Sequence, residues 1–423
     1  MGSSTSNQAT RFLPIWGVPE GFDAFLLQRH AQERFYKGKK TVLHVLRNDA
    51  DMARLVEILT YIDPNLEILR FPAWDCLPYD RVSPNRVVVS ERMATLTRLL
   101  DETETPRVVL TTVAALLQKV PPRSVFDGQS LTLKTGDALD QEFLIELLIS
   151  QGYNRTDTVM EAGEFALRGN LFDIFLAGED EPVRLDLFGD EVENIRHFDP
   201  LTQLSTNKID QLVLRPSVGF ILDAESISRF RTAWRDLFGQ AATEDPIYQN
   251  ISEGRRHIGI EHWVPLFYEK MSTLFDYLPN VVISFAHQAE EVIHSCLEMI
   301  ADHYEARQLP TRAGEVPYRP LPPELLYLNQ KDLDKILVSY NIVAFFSFAK
   351  PDDAQGVDMG GRPGVLFAKN LPVGEKENVF ATFHNQIKDW AAVGRKSFIA
   401  AWSRGSRERI ATLLRENKLS VQS

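Results

Sequence analysis

The chain has 423 residues, 44% of them hydrophobic and 10% aromatic, enough apolar material for about three packed domains and too much for wholesale disorder. Its 46 Lys and Arg against 58 Asp and Glu give a formal net charge of −12, which argues against a generally basic, phosphate-coating protein while leaving room for a local basic patch. Cys76 and Cys296 are the only cysteines, so neither a disulfide framework nor a four-thiolate zinc site can form, and the pair fits a reducing cytoplasm.

The polar N-terminal stretch 1–7 lacks a charged-then-apolar signal pattern, and no run approaches the ~20 apolar residues that cross a membrane. Helical apolar spacing over 21–37 and 49–62 alternates with short apolar runs at 41–47 (TVLHVLR) and ending at Phe71 (LEILRF). A Pro-punctuated loop, 72–85, leads to a helix over 92–100 and a strand over 107–111. Such alternation predicts parallel strands between helical layers. From about Tyr153 short strands crowd together, at 156–160, 164–168, 171–175, 183–188, 191–198 and 209–214, with Gly189-Asp190 as a two-residue hairpin signal. This reads as an antiparallel β module inserted in the α/β chain. After Pro216 helices return, with Asp223 as an N-cap for 224–238. A strand at 280–285, a helix over 288–307, a Pro-rich connection over 309–323 and a strand at 342–348 follow. Residues 351–374 lack periodicity and read as a linker; 377–393, 396–402 and 406–416 read as helix, strand and helix.

Gly17-Val18-Pro19-Glu20-Gly21-Phe22-Asp23 opens a helix as a phosphate loop would, yet Phe22 stands where the Lys belongs and Asp23 where the Ser or Thr belongs. A plain turn explains it better than nucleotide binding. His287, His294 and Cys296 lie close in sequence but show no zinc spacing. In Val183-Arg184-Leu185-Asp186-Leu187-Phe188 alternate residues point to opposite faces, so Arg184, Asp186 and Phe188 share one face and Val183, Leu185 and Leu187 the other. Arg168, at the end of a nearby strand, can join them. Two readings are open: a protein interface anchored by Arg and Phe, or an Arg184–Asp186 ion pair with a Phe covered by another domain.

The segment 152–199, GYNRTDTVMEAGEFALRGNLFDIFLAGEDEPVRLDLFGDEVENIRHFD, closely resembles the bacterial transcription-repair coupling factor family (Mfd). So do FPAWDCLPYDRVSPN (71–85), ERMATL (91–96), TAWRDLFG (232–239), IYQNISEG (247–254), GIEHWVPLFYE (259–269) and SRGSRERI (403–410), in matching order and spacing. The N-terminal third of that family is similar to the excision-repair protein UvrB. The resemblance implies a helicase-like parallel-sheet domain (1–151 and 217–350) interrupted by a β-rich domain (152–216), then a linker and an incomplete small α/β third domain (375–423). It implies that the chain is a fragment, without the polymerase-binding module, the ATP- and Mg-using motor domains and the C-terminal regulatory domain. Double-stranded DNA and RNA polymerase would then be partners of those parts, with no cofactor in this chain. The loop at Gly17, Gly21 and Phe22 is degenerate in that family, and the 79–85 segment leaves no room for the DNA-clamping hairpin of UvrB. In both proteins the β-rich domain docks UvrA, the companion excision-repair protein, through two arginines and a phenylalanine that fall by motif on Arg168, Arg184 and Phe188. In the family a C-terminal domain covers this face, so Phe188 is expected to be exposed here. An ATP-dependent helicase, and DNA binding by a patch of Arg81, Arg86, Arg92 and Arg98, are the alternatives.

Overall fold

The computed structural model describes residues 12–38, 41–126, 130–309, 317–362, 379–401, 403–417 and 419, so the N-terminal stretch 1–7 and part of the expected linker, 363–374, lie outside the described residues. Fifteen strands appear among them: β1 (Phe12–Trp16), β2 (Thr41–Leu46), β3 (Glu67–Phe71), β4 (Arg107–Thr112), β5 (Leu131–Lys134), β6 (Asn154–Arg155), β7 (Glu164–Arg168), β8 (Leu171–Ile174), β9 (Val183–Phe188), β10 (Glu191–Phe198), β11 (Ser205–Ile209), β12 (Gln211–Leu214), β13 (Val282–Phe285), β14 (Ile342–Phe345) and β15 (Val357–Asp358). They form a parallel seven-stranded sheet, β15-β1-β14-β13-β2-β4-β3, a mainly antiparallel six-stranded sheet, β11-β10-β9-β8-β7-β6, and a β12-β5 pair. The chain is therefore α/β, with a β-rich body between two stretches that build one parallel sheet.

The parallel sheet forms where continuous apolar runs can be covered on both faces. Val42 and Leu46 of β2 and Val108 and Leu110 of β4 join Leu27 and Leu55 on one side, from the helices α1 (Phe22–Phe35) and α2 (Asp49–Ile62). Leu43, Val45 and Val109 face the other side with Leu96 of α3 (Arg86–Arg98), Leu116 and Ile283. Each such fully buried side chain contributes about 1.5–3 kcal/mol. Asn48 and Asn85 cap α2 and α3 with their side chains, accepting from Asp51 N and Val87 N, which fixes where each helix begins. Asp223 caps the helix Ala224–Phe238 as expected, and that helix lays Phe230 and Trp234 into an aromatic cluster with Tyr248, Trp263 and Phe267.

A buried histidine lies within the parallel sheet. His44 of β2 is fully buried, its Nδ1 2.8 Å from Ser284 Oγ on β13. Burial, before the opposing influences of Asp23 and Arg54, lowers its pKa to about 4. The unfolded chain takes up that proton near pH 6.5, so stability present above pH 6.5 is lost as pH falls toward 4. The expected loss from this residue between pH 7 and 4.5 is about 2–3 kcal/mol. Urea denaturation at both pH values, for the wild type and His44→Gln, measures it; an equal pH dependence in the two would exclude His44 as the cause.

The six-stranded sheet turns Phe165, Phe172, Leu185 and Ile195 inward, against Leu144 and Leu148 of the helix Gln141–Ser150 and Leu133, Leu212 and Leu214 of the β12-β5 pair. This core reaches back to residue 131, upstream of the expected start at 152. The body is tied to the α/β layers by Arg215, which donates to Asp101 at 2.7 Å, and by Gly178, where a Cβ would collide with Ala94 of α3.

Other expectations are corrected. No strand forms over 156–160, and the expected strand 209–214 splits, because β12 turns away to pair with β5 while the polar β11 pairs with β10. Residues 351–362 are not a linker: Val357 and Asp358 add β15 to the edge of β1, and Gly356 lies so close to Pro14 that a side chain would not fit. Residues 363–423 form a second unit, in which the helices Val379–Ala392 and Arg404–Glu416 are described. Residues 396–401, read as part of a strand, carry no regular structure there, and among the described residues of this unit no strand offers a ladder.

A candidate partner-docking face on the β-rich sheet

The outer face of the six-stranded sheet follows from strand alternation. Register places Arg184 of β9 opposite Asp173 of β8 and Arg196 of β10, while Arg168 of β7 and Asp186 of β9 both lie opposite Leu171. Arg184 and Arg196 are like charges placed directly across a ladder, which is destabilising unless each is neutralised. Two aspartates do this. The Asp173 carboxylate takes Arg184 in a two-bond fork, Nε to Oδ1 at 2.6 Å and Nη2 to Oδ2 at 3.0 Å, and also accepts from Arg168. Asp186 accepts from Arg196. A hydrogen bond from Arg184 to Asp173 raises the Arg184 pKa, so the cation is held firmly. Its guanidinium also lies over the Phe198 ring, 4.6 Å from the centre.

The three expected contact residues thus differ in accessibility. Asp173 is nearly buried and Arg184 is only 12% exposed, whereas Arg168 is 44% exposed. Phe188 ends β9 at the Gly189-Asp190 turn and is 79% exposed, covered by no other part of the described chain. The Arg184–Asp186 pair does not form, because each residue has a nearer partner across its own ladder. Asp173 is the residue missed in the sequence: in LFDIF it reads as one outward carboxylate, and only the strand register reveals two guanidiniums on it.

The comparisons with known proteins bear on this same body. Residues 131–220 match the family model described as the UvrB interaction domain. The chain is 32% identical over 364 residues, 84% of its length, to the transcription-repair-coupling factor of Escherichia coli, of which it covers 30%. It is 34% identical over 334 residues, 78% of its length and 28% of the relative's, to that of Haemophilus influenzae. The chain corresponds to the N-terminal region of the transcription-repair-coupling factor family. It is also 35% identical over half its length to the factor of Myxococcus xanthus, covering 18% of it. The chain therefore spans under a third of the length of these coupling factors.

Two other candidate places resolve less favourably for ligand chemistry. At the loop of Gly17, Gly21 and Phe22, the segment 358–362 lies directly against the backbone. A Cβ on Gly17 would collide with Asp358 Oδ1, and one on Gly361 with Gly17 O. The Arg362 guanidinium and the backbone N–H groups of Gly360 and Lys350 hold the Asp358 carboxyl far below the usual carboxylate range. Asp23 accepts from Gly21 N at 3.0 Å, from Ala24 N at 2.9 Å and from Arg54 at 2.9 Å, and Glu20 lies 3.2 Å from Arg54, so carboxylates of the loop occupy the amide and guanidinium donors that a phosphate would need.

The arginines 81, 86, 92 and 98 do not form a patch. Arg92 is buried, stacked 4.0 Å from the Phe71 ring centre and donating to Pro72 O. Arg98 is taken up by Glu67 at 2.6 Å and Asp101 at 3.3 Å. Among the described residues no group of three or more His, Cys, Asp or Glu is placed to hold a metal ion, and no helix is long and apolar enough to cross a membrane.

Proposed function

We propose that this chain is the recruiting region of a cytoplasmic transcription-repair-coupling factor, docking UvrA through the outer face of its β-rich sheet and so bringing nucleotide excision repair to stalled transcription. Phe188 carries the reading. It is an aromatic ring that costs little to order, fixed on a hairpin end, exposed, and carried on the same sheet face as Arg184, and aromatic and Arg side chains are enriched at protein interfaces. Arg168 offers charge-assisted hydrogen bonds to an acidic group on the partner. Arg184, largely covered, supports Arg168 through their shared Asp173. Titration of the chain with purified UvrA is the test: saturable binding supports the reading, and none at micromolar concentration overturns it.

RNA polymerase and double-stranded DNA are partners that we assign to other regions of the longer relatives, as are ATP and Mg. The helicase alternative is disfavoured by Phe22 and by the carboxylates around Gly17. Titration with a fluorescent ATP analogue and Mg is expected to show no saturable signal; stoichiometric binding would restore that alternative.

A further inference from the structure

Arg168, Arg184 and Phe188 are too little surface for an interface. A stable contact covers roughly 800 Å² on each partner, and one large aromatic supplies about 150–250 Å². Arg184, 12% exposed, has little left to offer.

The turn between β10 and β11 lies against these arginines. Its geometry is locked: the Asp199 carboxylate accepts from Leu201 N and Thr202 N, both at 2.8 Å, and Gln203 N donates to Asp199 O, also at 2.8 Å. Gln203 sits at φ 61, the left-handed region that side chains other than Asn and Asp seldom adopt. Its amide nitrogen is tied to Pro200 O at 2.7 Å and Val159 O at 3.2 Å. In that pose one residue touches both cations: its Oε1 accepts from Arg168 at 3.3 Å and its main-chain oxygen from Arg184 at 3.1 Å. On either side of it, Leu201 is 81% and Leu204 69% exposed. Singly exposed leucines are ordinary; these two flank the one turn residue that holds both arginines.

Resting on the docking reading above, we infer that the 199–204 turn is the second half of the partner surface, with Leu201 and Leu204 as apolar contacts and Gln203 as a positioning residue for Arg168 and Arg184. The face then runs apolar, cationic, apolar, with Phe188 about 14 Å along β9 from Arg184. The partner surface that fits it carries an acidic group between two apolar depressions. This deepens the proposed partner's description, because Phe188 alone would demand only one depression.

The experiment titrates the full chain with UvrA and follows thermal melting in parallel. Leu201→Ser with Leu204→Ser is expected to weaken binding about tenfold or more, from the apolar area lost, with melting unchanged. Gln203→Gly keeps the left-handed backbone and the carbonyl facing Arg184 while removing the amide beside Arg168. It is expected to weaken binding about fivefold in the wild type and to have no effect in an Arg168→Ala background, since the two act as one unit. Wild-type affinity in the double leucine variant, alongside lost binding in Phe188→Ala, overturns the apolar half and leaves the docking reading intact. Additive effects of Gln203→Gly and Arg168→Ala overturn the positioning role. No binding by the wild-type chain overturns both readings.

Discussion

Replacing Asp173 with alanine is expected to destabilise the β-rich body by about 3–5 kcal/mol, the cost of leaving a covered cation without its counter-charge. Asp173 is 1% exposed and holds both Arg168 and Arg184. Without it, Arg184 stays in place over Phe198, opposite Arg196, with its fork unfilled. Asp173→Asn keeps the shape and one acceptor, so it should fall between the two. Replacing Asp173 by Leu together with Arg184 by Met should recover much of the loss, because a well-packed apolar pair avoids the desolvation that the ion pair must offset. Amide hydrogen exchange of β7, β8 and β9 under mild urea is the measurement. A loss below about 1 kcal/mol in Asp173→Ala would show that the carboxylate does not hold this face together.

Phe188→Ala should give the opposite signature. The ring is 79% exposed, so folding stability should change by no more than about 0.5 kcal/mol. Binding to UvrA should fall by about 2–4 kcal/mol, some 30- to 1,000-fold, if the ring fills a partner depression. Phe188→Leu, which keeps part of the apolar volume, should retain an intermediate affinity. Unchanged binding in the alanine variant, with wild-type binding demonstrated beside it, would remove this face from the contact. The pair of variants separates the two roles proposed for residues of one sheet face, Asp173 acting on the fold and Phe188 on the partner.

The parallel sheet was legible because its inner strands are continuous apolar runs. TVLHVL, RVVLTT and VISF can only be covered on both faces, and their helices carry polar caps at the places where the chain turns. Other strands were not legible. Phe12–Trp16 contains Pro14 and escapes the pattern, and Val357–Asp358 is two residues long, defined by its neighbour alone. Ser205–Ile209 has no apolar alternation, because it is a largely exposed edge strand held mainly by its pairing with β10. KSFIAA, 396–401, erred in the other direction: apolar composition suggested a strand, but strand formation needs a neighbour. At the candidate site, alternation in VRLDLF placed Arg184 and Phe188 on one face correctly. It could not say which aspartate each arginine meets, since that depends on the relative register of β8, β9 and β10. Nor could it foresee Gln203, whose role arises from a turn folding back over the arginines.

The parallel sheet also sets an order of events on the ribosome. β1 is bracketed by β14 and β15, so its edges find no partner until residues 342–345 and 357–358 have been made. At roughly 5–20 residues per second, that wait lasts tens of seconds. β7 to β10 pair with near neighbours in sequence and can close meanwhile. The nascent chain would therefore carry the closed β7–β10 strands, and with them the proposed docking face, while FLPIW is still an unpaired apolar strand open to aggregation.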